Sequence, residues 1–430
     1  MLLRDGSCVR EMMPEAGKHG GSPRAVAARL SLLQGLNFLG VGIYLPFFPL
    51  WLANKGLDEV AIGYLLTIPI LVRIVAASWL TGLGDRSISP VTLLTLLNGI
   101  ASLSYLALLP AERAPMIGLI MALNAVALSG VLPLADMLTT AQTRAGAGID
   151  YGRVRLWGSV SFFAATLGGG WLIAGFGAGV VPVALSVSSA LAMLAAFAAP
   201  APPDERRAPA GAGAGRFCRA FWWALAAAAC INAAHAALYA FGSLHWRDRG
   251  FGEPAIGALW GVGVFAEIAL FLYLGGLVAR GARAGLSWMA LGGAAAILRF
   301  STMALDPGYG VTLMLQMLHG LSFGAVHLGS MAAIAALAPA GRRGAAQGRL
   351  AAVGALASAA MTVVSGYIYR AHGELAFLAM IPLAITGLCC VALAKRDLPG
   401  DREIRGGPGS NGQAPRASRE TGPAGAKDLD

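Results

Sequence analysis

Five ionisable side chains of this chain lie inside long, mostly apolar stretches. They are Arg73, Asp136, Glu267, Arg299 and His319. An ionisable group within a segment that crosses lipid is costly unless it is paired or faces water, so such residues mark sites of solute or ion binding. Arginine binds carboxylates, whereas carboxyl and imidazole groups carry protons. The chemistry to expect is solute binding and proton transfer.

The chain repeats itself at an offset of 194 residues. Without a gap, several glycines, one glutamate and two arginines meet identical residues, among many apolar matches. At the same offset Arg73 falls opposite Glu267, so the two halves carry opposite charges at equivalent positions. We expect both side chains to face a central cavity, where they pair or share a solute. The alternatives are a structural ion pair, or an Arg73 bound to backbone carbonyls.

Two further ionisable groupings predict proton transfer. Asp136 has Arg155 as its predicted partner, because their spans follow one another in the chain. A carboxylate beside an arginine stays ionised, and a carboxylate that moves away from the arginine takes up a proton more readily. Making and breaking this pair could therefore couple proton binding to transport. A permanent structural pair is the alternative. His319 and His327 are eight residues apart and share one helix face. We assign His319 to proton coupling and favour a neutral packing role for His327.

Amide side chains within the spans are candidate solute ligands. Asn37 and Asn232 can each donate and accept hydrogen bonds, as can their neighbours Gln34 and His235, with helix packing as the alternative role. The sequence has no nucleotide-binding loop, zinc motif or Ser-His-Asp order. We therefore expect no enzyme activity, no cofactor and no metal site.

The elements that must position these residues are membrane-spanning helices. Of the 430 residues, 57% are apolar and 13% are charged, against roughly 25% charged in soluble domains. A spanning helix needs about 20 mostly apolar residues. Twelve stretches qualify: 30–53, 61–83, 90–109, 115–140, 155–175, 180–199, 219–245, 255–278, 285–304, 309–338, 345–369 and 375–394. The fold predicted is an all-α polytopic membrane protein of twelve transmembrane helices in two parallel six-helix repeats.

The remaining sequence divides the chain and sets its orientation. We expect an N-terminal extension at 1–28, six-helix bundles at 29–199 and 218–395, a linker at 200–217 and a disordered tail at 396–430. Loops on the side of the termini carry most of the arginines, which predicts that both termini are cytoplasmic. This placement explains the excess of 32 Lys and Arg over 22 Asp and Glu, so nucleic acid is not an expected partner.

Three motifs resemble the major facilitator superfamily, over roughly 29–395. They are YGRVRLWG at 151–158, LHGLSFGA at 318–325 and GLGDR at 82–86. Within the superfamily the chain is similar to the lactose-permease-like and phenylpropionate-permease-like proton symporters. The resemblance implies two bundles that rock about a central site, giving alternating access. It also implies a conformational loop motif that includes Gly82, Asp85 and Arg86, although the basic residues that usually follow are missing.

The resemblance also implies residue roles. By position, Glu267 and Arg155 would bind the solute, and Arg299 and His319 would serve proton coupling. The chain departs from the lactose-permease-like pattern at Ser322, where those proteins have a proton-carrying glutamate. If this chain is a proton symporter, Glu267 or Asp136 must carry the proton.

These observations predict a monomeric secondary transporter in the inner (plasma) membrane. Its expected partners are the bilayer, protons and a small organic solute. We favour an aromatic or other carboxylate, because Arg73, Arg155 and Arg299 lie within the spans. A sugar or nucleoside proton symporter and a proton-coupled exporter of drugs or metabolites remain alternatives. A sensor or an intramembrane enzyme is disfavoured, since the sequence has neither a long soluble domain nor a cluster of catalytic residues.

Overall fold

The computed structural model describes residues 22–86, 88–144, 148–201, 215–278 and 280–398, except for the side chains of 84–86. Most of the predicted extension 1–28, linker 200–217 and tail 396–430 lies outside these ranges. The helices are α1 (Pro23–Asn54), α2 (Glu59–Arg86), α3 (Pro90–Ala107), α4 (Ala114–Arg144), α5 (Tyr151–Phe176), α6 (Val181–Phe197), α7 (Arg219–Asp248), α8 (Glu253–Val278), α9 (Ala282–Met303), α10 (Tyr309–Leu337), α11 (Arg343–His372) and α12 (Leu375–Arg396).

Three of these helices are discontinuous. α7 consists of Arg219–Ala233 and Ala236–Asp248, and α12 consists of Leu375–Leu378 and Ile381–Arg396. α10 contains a π-helical segment at Gly320–Ala325. In transporters, irregular backbone at membrane depth is tolerated where it lies inside the protein or lines a cavity. The breaks in α7 and α10 therefore direct attention to the interior of the C-terminal half.

The predicted fold class is confirmed. In the part of the chain that the structure describes, every regular element is helical, and eleven helices are long and apolar enough to cross a membrane. α9 is not among the eleven; it carries Arg283 and Arg299. Large apolar side chains point outward on the other helices, among them Leu103, Leu119 and Phe197, which are 68%, 75% and 78% exposed. Such an apolar exterior matches contact with lipid.

The helix packing repeats between the two halves. In the first half α1 packs on α5, α2 on α4 and α3 on α6. Adding six to each number gives helix pairs that are also in contact in the second half, which are α7 with α11, α8 with α10 and α9 with α12. The halves meet through α2 with α11 and α5 with α8, and these two interfaces are also equivalent under the repeat. The two parallel six-helix repeats follow from this pattern.

The halves are closed against each other at one end only. A single apolar core crosses from one half to the other at the end away from the termini and includes Phe47 of α1 and Phe241 of α7. At the end that carries the termini each half has a core of its own, represented by Leu30 in the first half and Phe221 in the second. The cleft between the halves therefore opens on the side of the termini.

Close backbone approach holds the closed end together. A Cβ atom on Gly257 of α8 would overlap the carbonyl oxygen of Thr166 on α5. We expect Gly257→Ala to separate α5 from α8 at this end, because a backbone carbonyl cannot move aside as a flexible side chain can. A cysteine at Ala237, which is fully buried in the shared core, should then be labelled several-fold faster.

The measurement is labelling by a membrane-impermeant maleimide, added from the side opposite the termini, in a variant without native cysteines. Gly276→Ala on the same helix is the matched control, because no heavy atom lies within 4 Å of the added Cβ. Equal labelling of Ala237→Cys in both variants would contradict the assignment of the closed end.

Candidate functional site

The cleft between the halves contains two contiguous cavities. One, of about 600 Å³, lies along α2 and α11, and the other, of about 940 Å³, lies along α5, α8 and α10. Leu45 and Tyr239 belong to the walls of both cavities. We call the combined space the central cleft, with an α2 side and an α8 side. Each side has a volume that suits a small organic solute, since ligand sites commonly measure about 300–1,000 Å³.

Arg73 and Glu267 lie on opposite walls of this cleft. Arg73 lines the α2 side, and Glu267 lines the α8 side. The expectation that both register-matched charges face the centre agrees with this arrangement. No direct ion pair between them occurs among the described side chains, so they do not hold the halves together in this conformation. Both charges remain available to a solute.

The α8 side brings together three of the predicted residues. Arg155, Glu267 and His319 all line it. The Arg155 guanidinium lies over the ring of Phe38, 4.0 Å from its centroid, which orients the cation without neutralising it. Aromatic side chains complete the wall: Phe38, Tyr151, Tyr239, Trp260, Phe271 and Phe323. This lining offers stacking faces beside charged groups, as expected for a solute with an aromatic body and a charged end.

Arg299 lies behind the α8 wall, and its hydrogen-bonding partners among the described residues are all neutral. Its side chain is almost completely buried, at 1% exposure. Nη2 donates to Oε1 of Gln316, and Nη1 contacts Nδ1 of His319 at 3.0 Å and Oγ of Ser322 at 3.4 Å. Within the described residues Nε has no partner. A buried cation without an adjacent anion is expensive, so the site requires negative charge close by.

The hydrogen bonds fix the tautomer of His319. A guanidinium can only donate, so Nδ1 of His319 accepts from Arg299 and the ring hydrogen lies on Nε2. Nε2 is 3.9 Å from Oε2 of Glu267, too long for a hydrogen bond, but its N–H dipole points to the carboxyl group. His319 therefore lies between the buried cation and the carboxyl group, and it cannot gain a second proton without releasing Arg299.

The same reasoning orients His235 and Ser322. Nδ1 of His235 lies 3.0 Å from the carbonyl oxygen of Ile231, which only accepts, so Nδ1 carries the hydrogen. Nε2 of His235 then accepts from Oγ of Ser322 at 3.1 Å. The Ser322 oxygen is left to accept from Arg299. Ser322, noted in the sequence only as the place of a missing glutamate, thus joins α7 to α9 through α10.

Removing the Ser322 hydroxyl tests this network. In Ser322→Ala, His235 loses a donor and Arg299 loses an acceptor, and each unpartnered buried group costs about 1–3 kcal/mol. We expect the purified protein to unfold at a temperature several degrees lower. Ser330→Ala is the matched control, because that hydroxyl donates to the His327 carbonyl oxygen of its own helix at 2.9 Å. Equal melting temperatures for the two variants would contradict the network.

Asp136 does not pair with Arg155, so the predicted partnership is wrong. Oδ1 of Asp136 accepts from Nε2 of Gln34 at 2.9 Å and from the Tyr151 hydroxyl at 3.2 Å. Tyr151 precedes Arg155 by one helical turn on α5 and occupies the place beside the carboxylate, while Arg155 stacks on Phe38. Asp136 therefore connects α4 to α1 and α5 near the end that carries the termini, outside the group around Glu267.

The remaining predicted residues are more scattered. Asn37 lines a smaller chamber inside the first half. Asn232 donates to the Ala228 carbonyl oxygen at 2.9 Å and does not line the central cleft. Gly82 lies in α2 with no heavy atom within 4 Å of an added Cβ, and the Asp85 and Arg86 side chains lie outside the described residues.

On α10 the predicted common face of the histidines is present as a stack of rings. His319 stacks on Phe323 at 5.1 Å and Phe323 stacks on His327 at 5.9 Å, measured between ring centroids. Sequence reasoning missed Gln316. The spacing in the sequence could have indicated this residue, because polar side chains recur every three residues and so share a helix face at Gln316, His319 and Ser322.

Comparison with known proteins agrees with this geometry. The model of the MFS_1 like family matches residues 28–379. A probable 3-phenylpropionic acid transporter of Escherichia coli (strain K12) is 30% identical over 365 residues, which cover 82% of this chain and 93% of that protein. The maltose permease of Geobacillus stearothermophilus is 29% identical over 161 residues, 37% of this chain and 40% of that protein.

Solved structures share the fold. The nucleoside transporter NupG superimposes with a TM-score of 0.71 at 16% identity, covering 86% of this chain and 99% of that one. An inward-facing, occupied bacterial homologue of the human lysosomal transporter Spinster gives 0.68 at 15% identity, covering 91% and 100%. The resemblance to the major facilitator superfamily is confirmed: the chain belongs to the MFS_1 like family and is a secondary transporter of that superfamily.

Proposed function

We propose that this transporter carries an organic anion, an aromatic carboxylate, together with a proton across the inner (plasma) membrane. The observation that carries the proposal is the buried Arg299, whose hydrogen-bonding partners in the described structure are all neutral. Glu267 is the carboxyl group connected to it through His319, whose Nε2 lies 3.9 Å from Oε2 of Glu267. An anionic solute on the α8 side of the cleft would likewise supply a negative charge.

Charge balance then links the proton to the solute. With the cleft empty, ionised Glu267 offsets the charge of Arg299. With the solute carboxylate bound, a proton on Glu267 restores the same total charge. The two half-loaded states differ from this balance by one charge, which is costly when the cleft closes around the solute and excludes water. Proton and anion therefore favour each other's binding, and this reciprocal coupling is the thermodynamic basis of symport.

The solute class rests on the walls and on one relative. Aromatic side chains surround Arg155 and Glu267 on the α8 side. The relative that is 30% identical over 82% of this chain is named as a probable 3-phenylpropionic acid transporter, and that acid has an aromatic ring and a carboxylate. The three span arginines outnumber the two span carboxylates Asp136 and Glu267, which also favours an anion.

The orientation follows from the loops. Arginines cluster at the ends of helices on the side of the termini, for example at Arg144, Arg153, Arg342 and Arg343. Cytoplasmic loops retain such residues. With both termini cytoplasmic, the open end of the cleft faces the cytoplasm, and the conformation is inward-facing. Each chain contains a complete cleft, so we propose a monomer as the working unit.

Uptake by the purified protein in proteoliposomes tests the proposal. We expect a lumen more alkaline than the outside to drive accumulation of labelled 3-phenylpropionate, and excess unlabelled acid to compete. Excess maltose or uridine should have no effect. If maltose or uridine inhibits uptake and the unlabelled acid does not, the solute is a sugar or a nucleoside and not an organic anion. If the rate of acid uptake does not depend on the proton gradient, the transporter is not a proton symporter. If the acid moves only in the direction opposite to the protons, the protein is an exporter.

A further inference from the structure

A separate chamber of about 120 Å³ lies inside the first half, between α1, α2, α3, α4 and α6. It adjoins the α2 side of the central cleft, and Val41, Tyr44, Pro69 and Arg73 belong to the walls of both. A solute in the cleft could therefore extend into the chamber past Arg73. The groups around Glu267 and Arg299 do not line this chamber.

The chamber wall contains one amide group that the protein leaves unpartnered. The wall is mostly apolar but includes Asn37, Asn98 and Asn124. Asn98 donates to its own helix and Asn124 donates to the Ala101 carbonyl oxygen of α3. In contrast, neither Nδ2 nor Oδ1 of Asn37 has a partner among the described residues, although the side chain is only 8% exposed. Leaving both atoms unpaired is costly, so the geometry requires a polar occupant.

The chemistry of Asn37 selects the occupant's polar group. Its amide presents a donor and an acceptor together. A carboxylate accepts only and would leave Oδ1 unpaired, and an unsubstituted aromatic ring offers neither. A hydroxyl group both donates and accepts, so it can pair with both Nδ2 and Oδ1.

The shape and the entrance select the rest of the occupant. The rings of Tyr44 and Tyr105 and several aliphatic side chains form the wall. A cavity of roughly 150 Å³ is known to hold benzene, so a space of about 120 Å³ is of the size of one aromatic ring. Arg73 at the boundary is exposed to the cleft and makes no ion pair within the described structure, so an anion that extends from the chamber into the cleft passes a favourable charge.

We infer that the chamber is a specificity subsite for the ring of a hydroxylated aromatic carboxylate. Asn37 binds the ring hydroxyl, and the chain that carries the carboxylate extends past Arg73 into the central cleft, where the proposed function places the anion. This inference rests on the proposed function, in which the solute is an aromatic carboxylate, and narrows it to acids that carry a hydroxyl on the ring.

Binding to the purified full-length protein tests the inference. The probes are 3-phenylpropionate and its three ring-hydroxylated isomers, measured by calorimetry. One isomer should bind about tenfold more tightly than the unsubstituted acid, the effect expected of one well-made buried hydrogen bond. In Asn37→Leu the two affinities should come within about twofold of each other. Ser129→Ala is the control, because that hydroxyl is buried in the same bundle, donates to the Ala125 carbonyl oxygen and does not line the chamber.

A second variant tests the position of the ring without removing a polar group. Ala192 lines the chamber and is 1% exposed, so Ala192→Leu fills part of the space. We expect it to weaken every acid by about tenfold. If Asn37→Leu does not fold, Asn37→Ser removes the amide with a smaller side chain, and the same loss of preference is expected.

The outcomes separate the two proposals. If all the acids bind equally to the wild type, or the preference survives in the Asn37 variants, the chamber holds water only and the inference is overturned while the proposed function stands. Unchanged affinity in Ala192→Leu also overturns it. If no acid binds the wild type at all, the proposed function fails and this inference fails with it.

Discussion

Glu267→Gln is expected to abolish gradient-driven accumulation of the solute while leaving solute exchange intact. Glutamine keeps the shape of the side chain and cannot exchange a proton, so the site is held in the charge state that accepts the anion. Coupling free energies between sites commonly correspond to roughly 5- to 150-fold in affinity. This variant should lose the whole coupling free energy between the proton and the solute. In proteoliposomes with an alkaline lumen, the ratio of internal to external acid should fall to that of protein-free liposomes, in which only the neutral acid crosses the lipid.

The control for this variant is Glu253→Gln. Glu253 lies in the first turn of the same helix, α8, and does not line the central cleft. The Glu253→Gln variant should accumulate the acid as the wild type does. Both variants should exchange labelled for unlabelled acid at comparable rates. Accumulation by Glu267→Gln above the level of protein-free liposomes would assign the proton to another group. Loss of exchange would mean that Glu267 serves binding rather than coupling.

Arg299→Leu is expected to remove solute binding without unfolding the protein. Truncating one member of a buried charge pair costs about 2–5 kcal/mol of binding, which is about 30-fold or more in Kd. The fold should survive with a lower melting temperature, because relief from a poorly compensated buried charge partly offsets the acceptors left unpaired on Gln316 and His319. Calorimetry with the acid and thermal unfolding of the same sample measure the two effects.

Two variants bracket this result. Arg299→Lys keeps the charge but loses the planar fork, so it cannot contact Gln316 and His319 together, and we expect only partial recovery of affinity. Arg283→Leu on the same helix is the control, because Arg283 is exposed at the start of α9. Affinity in Arg299→Leu within about twofold of the control would show that the buried cation does not sense the anion.

The architecture could be predicted from the sequence because it depends on repeated patterns. Twelve apolar stretches gave twelve helical segments, and the 194-residue repeat predicted both the equivalent packing of the halves and a common orientation of Arg73 and Glu267 toward the cleft. Equivalent positions in a repeat keep equivalent surroundings. The shared orientation of Arg73 and Glu267 could therefore be predicted without knowing the side-chain positions.

The details between helices could not be predicted in the same way. Sequence order says that α4 and α5 are joined, but not the depth or rotation at which their side chains meet, so Asp136 was assigned to Arg155 and is bonded to Gln34 and Tyr151. The link from Ser322 to His235 depends on irregular backbone. Ser322 lies in the π-helical segment, which rotates the face of α10, and His235 lies at the break in α7.

Neither irregularity has a signal in the apolar pattern of the sequence. Gly320 and Gly324 allow close packing of α10 on α8, since a Cβ on Gly320 would lie 2.7 Å from the Ala266 carbonyl oxygen. Such approaches become visible only when both helices are in place. The buried group around Arg299 is therefore a product of tertiary packing, whereas its charged members were recognisable one by one.

Proton movement with the solute tests the central claim most directly. The acid is added to weakly buffered proteoliposomes at equal internal and external pH, and the external pH is recorded. We predict alkalinisation in step with entry of the acid, at about one proton per molecule, through the wild type only. Protein-free liposomes and Glu267→Gln correct for acid that crosses the lipid in its neutral form. Entry of the acid through the wild type with no alkalinisation above these controls would contradict the proposed symport.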